Sequence, residues 1–121
     1  MASFDEVGRQ FVQHYYQTFD SNRQSLASLY SDQSMLTYEG DQFMGGQHIM
    51  EKYAQLPHLQ HKITTMDCQP IPTDNSILVM VCGALSVDGA QPMQFSQSFR
   101  LCQGGQFGYY CHNDIFRLNL G

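Results

Sequence analysis

Phe4-Asp5-Glu6-Val7-Gly8-Arg9-Gln10-Phe11-Val12-Gln13-His14-Tyr15-Tyr16-Gln17-Thr18-Phe19 brings an apolar or small residue back every three or four positions. Phe4, Val7, Gly8, Phe11, Val12, Tyr15, Tyr16 and Phe19 therefore form one stripe along an α-helix. Ser3 is placed to cap that helix and Glu6 to close a capping box, with Asp5 and Glu6 favourable at the positive end of the dipole. Asp20-Ser21-Asn22 ends it. A stripe made mostly of aromatic rings needs a large concave surface to lie against. The far end of the chain offers one: Tyr109 to Leu118 is β-prone and largely apolar, as a core strand should be.

Working outward, a short second helix fits Arg23 to Tyr30, with Leu26, Leu29 and Tyr30 inward. Met35–Tyr38, Glu39-Gly40-Asp41 and Gln42–Met44 read as a small hairpin. Gly45-Gly46 opens a third helix with Ile49, Met50, Tyr53 and Leu56 on its apolar side, and Pro57 stops it. Four strands follow, at about 60–70, 76–87, 93–103 and 107–118. They are separated by Pro72-Thr73-Asp74-Asn75, Asp88-Gly89 and Gly104-Gly105. Helices first and a meander of strands after them predict an α+β fold, with three helices on one face of a curved antiparallel sheet. No repeat or linker divides the chain, so residues 1–121 are read as one domain.

The segment Ile77-Leu78-Val79-Met80-Val81-Cys82-Gly83-Ala84-Leu85 is apolar on both faces. One face packs on the helices, and the chain has no spare element for the other. A second copy packed face to face supplies the cover; a buried central strand in a monomer is the alternative. In the neighbouring strand Phe95, Phe99 and Leu101 point one way, and Gln94, Ser96, Ser98 and Arg100 the other. A polar, mostly uncharged face suits the centre of an interface. Val79, Met80, Val81, Ser96 and Ser98 are the expected interface residues of a homodimer.

Six basic residues against eleven acidic ones give a net charge of −5. No basic cluster is present to neutralise phosphates, which argues against nucleic acid and anionic membranes; a partner with a basic face is favoured. No apolar run approaches the ~18 residues of a membrane span, and the first residues lack the charged and apolar regions of a secretion signal. Cys68, Cys82, Cys102 and Cys111 are widely spaced, which favours reduced thiols over a disulfide or a zinc site. His58-x-x-His61 has no third ligand in view, His14, His48 and His112 stand alone, and Gly45-Gly46 and Gly104-Gly105 are turn glycines rather than a phosphate loop. No metal or cofactor is expected.

The acids hold more promise. Glu39 and Asp88 stand at turns, and Asp114 lies inside the last strand, where an unpaired carboxylate is costly. An apolar hole rimmed by acids would suit a partner that inserts an aromatic side chain beside Lys or Arg. Solvated turn acids at Glu39 and Asp88, and an internally paired acid at Asp114, are the plainer alternatives.

Phe11-Val12-Gln13-His14-Tyr15-Tyr16, Thr37-Tyr38-Glu39-Gly40 and Asn113-Asp114-Ile115-Phe116-Arg117-Leu118 resemble, in that order, the nuclear transport factor 2 family. Gln69-Pro70 and Phe95-Ser96-Gln97 extend the resemblance, which runs from about residue 4 to residue 120. It implies a homodimeric cone with an apolar cavity, carrying the GDP form of the small GTPase Ran into the nucleus through contacts with Phe-Gly nucleoporin repeats. It implies a distribution between cytoplasm and nucleus, enriched at the nuclear pore. It places Ran against Tyr38, Glu39, His61, Asp88, Met93, Ile115 and Phe116, with Asp114 grouped among them, and nucleoporin repeats against Phe4 and Asp20. The chain departs from the family where Phe4 and Tyr38 stand in place of common Trp, where Ala90 replaces a second acid, and where Pro57–Gln60 is two residues short. The same fold hosts small dehydratases and isomerases. An enzyme of that kind would need Asp67 or Asp114 as base and Tyr15, Tyr16 or Tyr38 as hydrogen-bond donor. A dimerisation module serving other domains is the third expectation, disfavoured because the last strand runs almost to Gly121.

Overall fold

The computed structural model describes residues 3–104 and 108–120. Helix α1 spans Phe4–Ser21, and Ser3 Oγ accepts the Glu6 N–H at 3.2 Å, one half of the expected box. Its buried face comprises Gly8, Phe11, Val12, Tyr15, Tyr16, Thr18 and Phe19. The second helix is a 3₁₀ helix, Arg23–Leu29. Its two buried residues, Leu26 and Leu29, are three apart, the spacing that a 3₁₀ turn eclipses onto one side. Helix α2, Gly46–Ala54, starts after Gly45 at φ +88°, a conformation that glycine adopts without steric cost.

Six strands form one sheet: β1 Tyr30–Tyr38, β2 Asp41–Met44, β3 Leu59–Ile71, β4 Ser76–Val87, β5 Met93–Gln103 and β6 Tyr109–Leu118. The order across it is β2-β1-β6-β5-β4-β3. The last three strands keep the expected spans closely. The turn residue Gly105 and the expected strand start at residue 107 lie outside the described residues.

The sheet is mixed, a correction to the all-antiparallel expectation. β1 runs parallel to β6, with Leu36 opposite Asp114 and Tyr38 opposite Phe116. Parallel neighbours need a long crossover, and here everything between residues 38 and 109 is that crossover. The sheet curves around α1. Tyr15, Tyr16, Phe19, Tyr53, Phe95, Phe99 and Phe116 crowd its concave side in ring-to-ring contact. Gly8 lets α1 approach β3 so closely that a Cβ there would lie 2.5 Å from Cys68 Sγ. Among the described residues no helix is long and apolar enough to cross a membrane.

Candidate partner-binding mouth of the cone

Strand direction collects the functional candidates at one end of the sheet. β1, β6 and β4 finish there, and β5 and β3 begin there. Two tight turns project from that end. Tyr38 pairs with Asp41 across Glu39 (φ +52°) and Gly40 (φ +90°). Val87 accepts the Ala90 N–H across Asp88 (φ +51°) and Gly89 (φ +78°). Positive φ at both central residues is the primed turn that strand twist favours, and an acid followed by glycine tolerates it. β1 and β4 are three strand spacings apart, so the two acidic turns stand about 15 Å from one another across the mouth.

Between them lies an aromatic stack. The Tyr38 and Phe116 rings are parallel, with centroids 4.4 Å apart and planes 7° apart, and Phe95 lies 5.5 Å beyond Phe116. Met93, half-buried, begins β5 opposite Leu85. Burial, and after it the Glu39 charge, push the Tyr38 hydroxyl up to about 12. Glu39 is held in place: its Oε1 accepts the Leu118 N–H, and its Oε2 lies 3.7 Å from Arg117 Nη1. The Asp88 N–H is bonded to the His58 carbonyl at 2.9 Å, which ties that turn to the loop before β3. Tyr38, Glu39, Asp88 and Met93 are thus brought to one end with part of each side chain accessible, whereas Phe116, expected beside them, is only 2% exposed and is buried against Tyr38 and Phe95.

Three expected mouth residues sit elsewhere. Ile115 is on the outer face of the sheet, 55% exposed and opposite Ser98, because successive strand residues alternate and its neighbours Asp114 and Phe116 point inward. Asp114 is 1% exposed and cannot face a protein partner. Its Oδ2 accepts from Tyr30 at 2.8 Å, Tyr53 at 3.1 Å and Tyr15 at 3.4 Å, and its Oδ1 from Gln97 Nε2 at 2.7 Å. Burial raises its pKa to about 6 despite these donors, and burial together with its charge drives Tyr15, Tyr30 and Tyr53 well above the usual tyrosine value. The His61 ring lies beneath the rim among Tyr16, Phe19 and Phe95. Both the His61 N–H, at 2.7 Å, and its Nδ1, at 2.6 Å, meet the Asp20 carboxylate.

That contact also separates Asp20 from Phe4. Phe4 begins α1 and is 41% exposed, whereas Asp20 is sixteen residues along the same helix, ~24 Å away. Within one protomer the two do not form one patch. Val79 and Val81 also need correction as interface residues. They point into the core with Ile77 and Leu85, while Met80, at 52% exposure, lies outward in a row with Ser98 and Ile115. Asp67, a base in the enzyme alternative, is exposed on the sheet face opposite the tyrosines, next to Met66 and Cys68 that pack on the core.

Gln97 was legible and missed: strand alternation puts it inward with Phe95 and Phe99, at the depth of Asp114. Tyr53 and Tyr30 were read as inward residues, with no local signal that their hydroxyls would meet Asp114. Arg23 supplies another feature without one. Its guanidinium donates to the Tyr53, Leu56 and Pro57 carbonyls at 2.6–2.9 Å and closes the C-terminal end of α2. Among the described residues no group of three His, Cys, Asp or Glu side chains is placed to hold a metal ion, and all four cysteines are free.

Comparison with known proteins agrees with this fold. The nuclear transport factor 2 domain matches residues 7–118. Nuclear transport factor 2 of Schizosaccharomyces pombe is 48% identical over 124 residues, covering 100% of both chains, and that of Oryza sativa is 48% identical over 120 residues, covering 97% of this chain and 98% of the relative. The solved structure of nuclear transport factor 2 from Cryptosporidium parvum superposes with a TM-score of 0.90 at 49% identity, over 96% of this chain and 94% of the other. With the domain matched over residues 7–118 and about half of its residues shared with full-length relatives, the chain belongs to the nuclear transport factor 2 family.

Proposed function

We propose that this protein is a nuclear transport carrier that acts as a homodimer. It binds the GDP form of Ran at the mouth of the cone and Phe-Gly nucleoporin repeats at the exposed Phe4 edge. It moves between cytoplasm and nucleus and concentrates at the nuclear pore. Full-length identity with relatives named for nuclear transport supports the general role. One observation carries the finer reading: the Tyr38–Phe116 stack, bounded by Glu39, lies at the same sheet end as Asp88. An aromatic side chain on the partner gains apolar burial there, and flanking cations meet two carboxylates that set its register.

An enzymatic role is disfavoured by the state of Asp114. It has the raised pKa and the tyrosine neighbours of a general acid or base, yet all four donors already point at it and almost none of it reaches solvent. Substrate has no room to replace them.

Glu39→Lys tests the site. The variant gives up the Leu118 and Arg117 contacts of Glu39. The turn is polar and half-exposed, so the fold should survive at some cost in stability, which thermal unfolding of the variant checks. Attraction to a basic partner becomes repulsion of several kcal/mol. Titration calorimetry against GDP-loaded Ran should show binding by the parent and none by the variant. Equal binding by both would remove Ran from this end of the cone. Ala90 stands where the family commonly has a second acid, so the parent's affinity should fall less steeply with added salt than that of a relative with both acids.

A further inference from the structure

The two edges of the sheet are unalike. β2 and β3 end the strand order. An open edge offers its backbone to any extended chain, and proteins guard such edges with lysine, proline and bulges. β3 has all three, in Lys62, Pro70 and the register slip between Ile63 and Thr65. β2, Asp41–Met44, has none of them.

The hairpin decides which groups β2 presents. Across its two-residue turn Tyr38 and Asp41 form the hydrogen-bonded pair, so Leu36 and Phe43 form the next. The Gly45 N–H continues the series, bonded to the Ser34 carbonyl at 2.7 Å. Backbone groups alternate along a strand, so those of Gln42 and Met44 point away from β1 to the open edge. There His48 Nδ1 donates to the Met44 carbonyl at 3.0 Å. Among the described residues, the Gln42 N–H and carbonyl and the Met44 N–H have no partner in the chain. Beside them runs a groove of about 270 Å³, lined by Gln42, Phe43 and Met44 and by one face of α2 from His48 to Gln55. Phe43 packs toward the core, and its neighbours on either side alternate away from it. A groove that touches all three therefore follows the strand edge rather than either face. The Lys52 ammonium marks its α2 side, 5.8 Å from the Phe43 ring centroid and 5.4 Å from that of Tyr38.

We propose that β2 is a docking edge for an extended segment of another protein, which adds to the sheet as a further strand and bonds to Gln42 and Met44 through its main chain. The partner residue opposite Phe43 places its side chain on the same face, between that ring and α2, where an apolar side chain gains burial. A second copy fits less well. An antiparallel edge pair has its two-fold axis normal to the sheet, so both copies of α2 would lie on one face and contend for one groove. A lone segment brings no helix with it. None of this depends on which partner meets the mouth.

The full-length protein and random heptapeptides displayed on phage test the edge. Proline is tolerated at an edge position whose N–H faces away from the sheet. Gln42→Pro therefore keeps the pairing with β1, removes one donor and sets a ring across the edge. Enriched peptides should bind Gln42→Pro about tenfold more weakly than the parent, the loss that one or two main-chain hydrogen bonds imply. The same peptides should slow exchange of the Gln42 and Met44 amide protons in the parent. No enriched peptide, or none that both discriminates against Gln42→Pro and slows those amides, overturns the docking edge. A lower mass for Gln42→Pro than for the parent in light scattering gives the edge to a second copy and overturns it too. If Gln42→Pro does not fold, amide exchange in the parent decides alone.

Discussion

Burial and hydrogen bonding pull the Asp114 carboxyl in opposite directions, and burial wins, placing its pKa at about 6 against an ordinary 3.8. Between those values the folded protein holds a proton that the unfolded chain has lost. The resulting stabilisation is complete below about pH 4 and is lost as pH rises through 6, an effect of about 3 kcal/mol for a shift of this size. Asp114→Asn keeps the shape and removes the titration. Urea unfolding should show the parent losing about 3 kcal/mol relative to Asp114→Asn between pH 4 and 7; parallel profiles would mean the carboxyl titrates normally. The cost of an acid inside the last strand was legible in the sequence. Its tyrosine partners were not, because Tyr15, Tyr30 and Tyr53 lie 99, 84 and 61 positions away. Glu39 and Asp88 were legible for the opposite reason: an acid followed by glycine announces its own turn.

At the scale of the element, β4 shows what alternation decides. Ile77, Val79, Val81, Gly83 and Leu85 fill the core, and Leu78 and Met80 are left outside. An all-apolar run conceals that alternation, which is how Val79 and Val81 came to be expected at an interface. Gly83 has a separate role. It faces β3 where the register slips between Ile63 and Thr65, and the bulge brings backbone against it. A Cβ there would collide with the Lys62 carbonyl oxygen and stand 3.1 Å from both Ile63 Cα and the Phe95 ring. Backbone cannot swing aside as a side-chain tip can, so Gly83→Ala should destabilise the protein by about 2–3 kcal/mol. The midpoint of chemical denaturation measures this, and an unmoved midpoint would show that the bulge relaxes.

At the scale of the whole molecule, five of the seven exposed large apolar side chains among the described residues lie on the outer sheet face and the hairpin beside it. Leu78, Met80 and Ile115 lie on the face, and the β1–β2 hairpin adds Met35 and Met44, all exposed. Ser96, Ser98 and Arg100 stand between the apolar rows of β4 and β6. A second copy covering this face removes that surface from water with hydrogen bonds at the centre. Light scattering after size exclusion should give about twice 13.8 kDa, and Met80→Glu should give a folded species of half that mass, since Met80 is exposed and a charge buried between sheets is costly. A dimer unaffected by Met80→Glu would place the contact elsewhere. The sequence by itself determined the stripe of α1, the spans of the later strands and the two acidic turns, because each is recorded in spacings of two, three or four residues that local geometry reads directly. Only the tertiary structure decided that β1 runs parallel to β6, that Asp20 holds His61 beneath the rim, that Ile115 faces outward beside Met80, and that Lys52 covers Tyr38. Those pairings join segments far apart in the chain. Their direction and register are set by how the whole aromatic core packs, and no local pattern records it.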